Sequence, residues 1–176
     1  QKAGLIPKIH ADQFHDLGGA MLAAKLRAAS ADHLECISDD GIAALAAAGT
    51  VAVSLPLAAL YLRQEPLPAR ELIDAGVPVA VATDFNPGSA PSFHLPMAMT
   101  LACVRQKMTP AEVLKGATLI AARALHLDTI VGSVEVGKSA DLVVLDAPDV
   151  NHWLYHLRSN VAHTVILKGN AYPSDH

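Results

Sequence analysis

Three polar residues, His10, His33 and Asp84, each stand at the end of a short segment that is predicted to be a strand. Imidazole nitrogens and carboxylates are ligands that zinc takes in proteins, and the same groups transfer protons during hydrolysis. A histidine on an apolar strand is often only a core residue, and an Asp before a turn is often only a cap. Three such groups at successive run ends favour a metal site, in which His10 and Asp84 form an incomplete ligand set.

Asp84 lies between a predicted buried strand and a turn. Apolar residues dominate 77–82, and Asn-Pro-Gly-Ser follows at 86–89. The first pattern is typical of a strand buried on both faces, and the second forces a turn. Because ligands of α/β folds bind beyond the carboxyl ends of parallel strands, we expect Asp84 to be a metal ligand or a general base.

The elements that would position these residues repeat along the chain. The pattern predicts strands at about 5–10, 31–33, 50–55 and 77–83, and helices at about 17–28, 39–48, 69–75 and 93–105. Ser38 is the expected cap of the second helix, and a loop is expected from Pro56. Strand–helix units of this length predict a parallel sheet with the three polar residues at one edge.

The predicted fold class is α/β, specifically the C-terminal half of a (β/α)8 TIM-type barrel with part of a small β-sandwich domain. A complete barrel takes about 250 residues, whereas the repeat here ends near residue 105. The sequence is 52% hydrophobic and only 17% charged, which leaves little charge to coat a surface. We therefore expect a fragment that lacks its N-terminal half and that associates with that half or with itself.

The remaining sequence changes character. Thr109-Pro110-Ala111-Glu112 is a capping box that opens one or two helices ending near Leu125. The pattern beyond them predicts a hairpin-like segment at 132–137, a buried strand at 140–145, a strand at 161–167 and a frayed tail at 170–176. We expect residues 1–127 to form the half-barrel with its outer helices and residues 128–176 to form the β segment.

Composition excludes several classes of partner. The net charge is −4 without a basic stripe, so nucleic acid is not expected. Residues 42–62 lack charge, but Gly49-Thr50 and Pro56 divide them into helix, turn, strand and loop, so no membrane span is expected. The first residues do not have the pattern of a secretory leader, so secretion is not expected, and Cys36 and Cys103 fit two buried thiols in a reducing cytoplasm.

Other polar residues carry weaker signals. His152 and His156 lie four apart on a possible helix, but neither a third ligand nor a base lies beside them, so surface positions are expected. Asp12, Asp32 and Glu35 neighbour the candidate site, and we expect each to hydrogen-bond to loop backbone.

Longer motifs around the candidate residues resemble the amidohydrolase superfamily. They are His10-Ala-Asp-Gln-Phe, Ala31-Asp-His33, Thr83-Asp84-Phe-Asn-Pro-Gly-Ser89 and Gly132-Ser-Val-Glu-Val-Gly-Lys-Ser-Ala-Asp-Leu142. The last motif is shared by many metal-dependent members. The first and third are similar to a narrower branch, which opens 4-imidazolone-5-propanoate to N-formimidoyl-L-glutamate in histidine degradation with zinc or iron. The resemblance covers essentially the whole chain and implies this cytoplasmic hydrolase activity.

The resemblance also implies roles for single residues. It implies that His10 and Asp84 bind the metal ion and that His33 and Asp84 are catalytic. The residues that it implies for substrate binding are Gln13, Asn86, Gly88 and Ser89. The remaining ligands of the superfamily, a His-x-His pair on the first barrel strand, are not in this sequence, so the N-terminal half is the expected partner.

Two alternatives remain open at this point. The chain could belong to another amidohydrolase, such as a different cyclic-amide hydrolase or a nucleobase deaminase, because these share the metal scaffold. It could also be a half-barrel without catalysis that acts as an assembly partner. In each case the exposed sheet edges predict a homo-oligomer.

Overall fold

The main sheet contains four parallel strands in the order of the sequence. A computed structural model describes residues 4–158 and 160–173. The strands are β1 Lys8–Ala11, β2 Ser30–His33, β3 Val51–Ser54 and β4 Val79–Val81. The predicted parallel sheet is confirmed. The fourth strand is shorter than predicted, although the Ala82 N–H still donates to the Ser54 carbonyl at 3.0 Å.

Helices connect and follow these strands. They are α1 Gly19–Lys25, α2 Asp39–Ala48, α3 Pro56–Leu62, α4 Ala69–Asp74 and α5 Leu95–Gln106. Ser38 caps α2 as predicted, because its hydroxyl accepts from the Gly41 N–H. The loop predicted from Pro56 is wrong. Proline at the first helical position has a suitable φ and lacks an N–H that would be unpaired there, so it opens α3.

The core lies between the main sheet and its helices. Every residue of β3 and β4 is buried, as the sequence predicts for the fourth strand. Leu45, Leu57 and Leu72 bring fully buried side chains from three helices. Gly116 allows a close approach to β4, since a Cβ atom at this position would lie 2.9 Å from the Val79 carbonyl oxygen.

The predicted capping box forms at Thr109. It opens α6 Pro110–Lys115, which continues through a π-helical turn, Gly116–Ile120, into α7 Ala121–Ala124. Glu112 completes the box and also accepts two hydrogen bonds of 3.1 Å from the Arg70 guanidinium. Chiefly because of the Arg70 hydrogen bonds, the pKa of Glu112 is lowered from 4.5 to about 2.

We expect Glu112→Gln to destabilise the chain in a pH-dependent manner. Glutamine keeps the capping bond but loses the charge, so the cost at pH 7 should be about 1 kcal/mol. Because the folded-state pKa lies below the unfolded value, this difference is present above pH 4.5 and disappears as the pH falls to about 2. Urea unfolding across this range measures it. A difference that persists at pH 2, or one that also appears in the exposed control Glu65→Gln, would contradict the assignment.

A second sheet follows in the C-terminal part. It is antiparallel and contains β5 Leu142–Leu145, β6 Ala162–Leu167 and β7 Asn170–Pro173, with α8 Val150–Tyr155 between the first two strands. The strand predicted at 161–167 is confirmed. Helix α8 packs against α5, where the Thr100 hydroxyl donates to the Leu154 carbonyl at 2.8 Å.

Several predictions for this region are wrong. Segment 132–137 contains turns and bends but no strand. The strand predicted as buried is half exposed, with Val143 at 53% and Val144 at 48% of full exposure, because no second layer covers this sheet in the described part of the chain. Residues 170–173 form β7 rather than a frayed tail, and 174–176 lie outside the described residues.

Both cysteines are free, but they are not the buried pair that the sequence predicts. Cys36 is exposed and Cys103 is partly exposed. Cys36 lies in the turn that follows β2, where neither sheet nor helix covers it. Within residues 4–158 and 160–173, no helix has the length and apolar character needed to cross a bilayer.

Candidate active site

His10, His33 and Asp84 lie at the carboxyl edge of the main sheet. His10 belongs to β1, His33 is the last residue of β2, and Asp84 follows the end of β4. The ring centroids of His10 and His33 are 4.1 Å apart, and His33 Nε2 lies 3.9 Å from Asp84 Oδ2. The fold therefore brings together the three residues that the sequence singles out, with His33 between the other two.

The backbone around these residues turns sharply. His33, Leu34 and Asp84 have φ values of 81°, 68° and 53°, in the left-handed region that residues other than glycine seldom occupy. Such conformations cost about 1–3 kcal/mol each and cluster at functional sites. Here these conformations turn the chain sharply after β2 and β4, and the His33 and Asp84 side chains lie beside each other.

Gln13 lies between His10 and the loop after α3. The amide oxygen Oε1 of Gln13 lies 2.8 Å from His10 Nε2, and Gln64 donates to the Gln13 backbone carbonyl at 3.0 Å. An acceptor at Nε2 places the proton of a neutral ring there and leaves the lone pair of Nδ1 for another partner. Gln13 is only 7% exposed, and its predicted substrate contact stays a prediction. The contact with Gln64 is not predicted from the sequence, because no local pattern links Gln64 to Gln13.

Glu35 lies beside Nδ1 of His33, whereas Asp84 lies beside Nε2 of the same ring. Its Oε2 atom lies 3.6 Å from His33 Nδ1, and the Glu35 and His33 side chains are only 2% and 3% exposed. The expectation that Glu35 bonds to loop backbone is therefore wrong for this oxygen. The two left-handed residues His33 and Leu34 turn the chain back, so that the Glu35 carboxylate lies against the imidazole.

Asp12 and Asp32, which neighbour the candidate site in the sequence, have different hydrogen-bond partners. The Asp12 carboxylate accepts from the N–H groups of Leu17, Gly19 and Ala20, which confirms the expected backbone role. Asp32 instead accepts from the Ser30 hydroxyl at 2.6 Å and lies 3.7 Å from Lys8 Nζ. The backbone role expected for Asp32 is wrong, because its side chain lies beside residue i−2 of its own strand and beside Lys8 of β1 rather than beside free loop N–H groups.

Asn86 organises the turn after Asp84. Its amide nitrogen donates to the Asp84 carbonyl at 2.7 Å and to Asp84 Oδ2 at 3.2 Å. Its amide oxygen accepts from the N–H groups of Gly88 and Ser89 at 2.9 and 2.8 Å. The predicted following helix begins only at Leu95, so these N–H groups belong to an Asx turn and not to a helix start.

We expect Asn86→Ala to loosen this turn without unfolding the chain. Each lost hydrogen bond is worth about 0.5–1.5 kcal/mol, so amide exchange at Gly88 and Ser89 should accelerate about tenfold or more. Hydrogen exchange followed by NMR measures this effect. Asn151→Ala, an exposed change on α8, is the control and should leave both amides as they are. Equal protection in wild type and Asn86→Ala would contradict the assignment.

Carboxylates lie around the turn that follows β2. Burial first, and then the charges of Glu35, Asp12 and Asp16, raise the pKa of the Cys36 thiol. At the candidate site itself, the carboxylates of Glu35 and Asp84 lie on either side of His33, and their negative charge favours a bound cation. The available donors, His10 Nδ1 and the Asp84 carboxylate, have the chemistry that zinc and iron accept.

The described residues do not form a complete metal cage. Nowhere in residues 4–158 and 160–173 are three or more His, Cys, Asp or Glu side chains arranged to hold an ion. His152 and His156 do lie together at α8, but their rings are stacked, with centroids 4.0 Å apart. His156 Nδ1 already lies 2.8 Å from the His152 carbonyl oxygen, so this nitrogen has a backbone partner in place of a metal ion.

Sequence comparisons relate the chain to amidohydrolases. The profile of the amidohydrolase family matches residues 4–172. The imidazolonepropionase of Geobacillus kaustophilus is 49% identical over 173 residues, which cover 98% of this chain and 41% of that protein. The imidazolonepropionase of Shouchella clausii is 51% identical over 169 residues, which cover 96% of this chain and 38% of that protein. The chain thus spans about 40% of the length of these curated relatives.

Solved structures share the fold. An adenosine deaminase from Xanthomonas campestris, solved with bound zinc, superposes with a TM-score of 0.82 at 22% identity and covers 97% of this chain and 46% of its own. An ochratoxinase from A. niger superposes with a TM-score of 0.77 at 20% identity and covers 99% of this chain and 43% of its own. At these identities the comparison shows the fold alone, and the predicted half of a TIM-type barrel is confirmed.

Proposed function

The chain belongs to the amidohydrolase family, and from that premise we propose that it supplies the C-terminal half of an imidazolonepropionase active site. The observation that carries the proposal is the meeting of His10, His33 and Asp84 at one sheet edge. Identities of 49% and 51% with imidazolonepropionases support the choice of substrate. The substrate is 4-imidazolone-5-propanoate, an intermediate of histidine degradation.

The reaction is hydrolysis of a cyclic amide. The oxygen of one water molecule bonds to the ring carbonyl carbon, and the bond from that carbon to the ring nitrogen breaks. The leaving nitrogen takes a proton from the water, and the product is N-formimidoyl-L-glutamate.

His10 and Asp84 would hold one zinc or iron ion. The hydrogen bond from His10 Nε2 to Gln13 fixes the ring, and Nδ1 remains as the donor atom. When bound, such an ion lowers the pKa of water toward about 7 and polarises a carbonyl group. Two ligands hold a catalytic ion weakly, so the proposal places further ligands in residues outside this sequence.

Asp84 and His33 act on the attacking water. Asp84 Oδ2 accepts the proton of the water and delivers it to the leaving ring nitrogen. His33 Nε2 and Asp84 Oδ2 are 3.9 Å apart, which is too long for a direct hydrogen bond but suits one water molecule that contacts both. His33 therefore orients the water.

The turn after Asp84 binds the substrate. Asn86, Gly88 and Ser89 hold the carboxylate end, whose oxygens would replace Asn86 Oδ1 as acceptor for the two backbone N–H groups. The side-chain amide of Gln13, which lies beside His10, contacts the imidazolone ring of the substrate.

The proposal extends to partners and organisation. Residues 1–127 form the half-barrel and residues 128–176 form a β segment of a small domain. Val143 and Val144 are exposed on opposite faces of β5, and these apolar surfaces support association with the remaining half of the enzyme and with a second copy. Free thiols at Cys36 and Cys103 fit the cytoplasm.

The test uses the full product of the gene that encodes this chain. We expect it to convert 4-imidazolone-5-propanoate to N-formimidoyl-L-glutamate and to contain zinc or iron by elemental analysis. Binding of metal without this turnover, together with deamination of a purine or pyrimidine, would replace the proposed substrate. If the protein contains no metal and hydrolyses none of these substrates, the alternative of a non-catalytic half-barrel that acts as an assembly partner would be favoured.

A further inference from the structure

A buried carboxylate lies next to a buried imidazole nitrogen at the candidate site, and neither atom is used in the reaction proposed above. Glu35 Oε2 and His33 Nδ1 are 3.6 Å apart. Neither atom has a hydrogen-bond partner among the described residues. Leaving a carboxylate oxygen buried and unpaired is costly, so its position beside the imidazole requires an explanation.

We propose that Glu35 is a positioning residue that holds His33 as the Nδ1–H tautomer, with Nε2 directed toward Asp84. A carboxylate can only accept a hydrogen bond, so the nitrogen that it faces must carry the proton. In a neutral ring Nε2 then has the lone pair, and it lies 3.9 Å from Asp84 Oδ2. The 3.6 Å separation exceeds a hydrogen bond, but such contacts often tighten only when substrate is bound.

The backbone supports this interpretation. His33 and Leu34 both take left-handed conformations, with φ values of 81° and 68°. These two strained conformations reverse the chain after β2, so that the Glu35 side chain lies against the imidazole ring of His33. A glutamate that served only solubility would extend into solvent, as Glu65 and Glu71 do.

The test compares Glu35→Gln with Glu35→Asp in the full gene product. Glutamine keeps the volume but no longer requires a proton on Nδ1, whereas aspartate keeps the carboxylate. Long-range ¹H–¹⁵N NMR at a pH near 8.5, where an ordinary histidine is neutral, reports the tautomer of His33. We expect Nδ1–H in wild type and in Glu35→Asp, and a mixed or Nε2–H tautomer in Glu35→Gln.

The kinetic part rests on the proposed function, whereas the tautomer does not. We expect Glu35→Gln to lower kcat about 10–100-fold, with KM changed less than about twofold, and Glu35→Asp to recover part of kcat. The exposed control Glu71→Gln should match wild type in both measurements. An unchanged tautomer in Glu35→Gln, or equal losses in the Gln and Asp variants, would overturn the inference even if the wild-type substrate proved to be different.

Discussion

Asp84→Asn is expected to lower the kcat/KM of the full gene product for 4-imidazolone-5-propanoate by about 10³–10⁴-fold. Asparagine has nearly the same shape, so the neighbouring Asn86 turn should survive. The change removes the charge that would help to hold the ion and the oxygen that would accept the proton of the attacking water. Both losses act on the chemical step, so kcat should fall far more than KM rises.

Steady-state kinetics together with elemental analysis measure this effect. Asp74→Asn is the matched control, because Asp74 is 67% exposed on α4 and pairs only with Arg70 in the described structure. It should keep nearly full activity. Retention of more than about a tenth of the activity by Asp84→Asn would exclude Asp84 as the general base, since general-base catalysis contributes at least about 10²-fold.

Leu45→Ala is expected to destabilise the 176-residue chain by about 2–5 kcal/mol. Leu45 is fully buried in α2 and belongs to the hydrophobic core. Alanine would lose the transfer free energy of the leucine side chain and leave a cavity. The midpoint of urea unfolding, followed by circular dichroism, should fall accordingly.

The matched control for this core prediction lies on the neighbouring helix. Leu22 on α1 is 49% exposed, so Leu22→Ala removes the same atoms from a site that water already reaches. Its cost should stay below about 1 kcal/mol. Equal losses for the two variants would mean that Leu45 does not belong to the core that the structure describes.

The main sheet could be predicted because its signals are local. Short strand signals precede or include His10, His33 and Asp84 in the sequence, and the parallel pairing of β1 to β4 brings these residues to one edge of the sheet. Capping signals at Ser38 and Thr109 placed two helix starts correctly for the same reason. Helix α3 was missed because Pro56 is compatible with both a strand end and a helix start.

Contacts of the candidate site that depend on tertiary structure could not be predicted. Gln64 reaches Gln13 from a loop that is remote in sequence, and no motif marks that pairing. Glu35 was assigned to loop backbone because a left-handed conformation at His33, a residue other than glycine, has no sequence signal. The exposure of β5 depends on whether another layer packs on its sheet. The apolar sequence pattern of the strand does not contain that information.

One measurement tests the central proposal most directly. In the Geobacillus kaustophilus imidazolonepropionase, the segment similar to this chain is replaced by the chain itself, and formation of N-formimidoyl-L-glutamate from 4-imidazolone-5-propanoate is followed. We expect the chimera to turn over this substrate and Asp84→Asn within it to abolish that turnover. A folded chimera that holds its metal but leaves the substrate unchanged, while the parent enzyme converts it, would contradict the proposal that this chain completes an imidazolonepropionase active site.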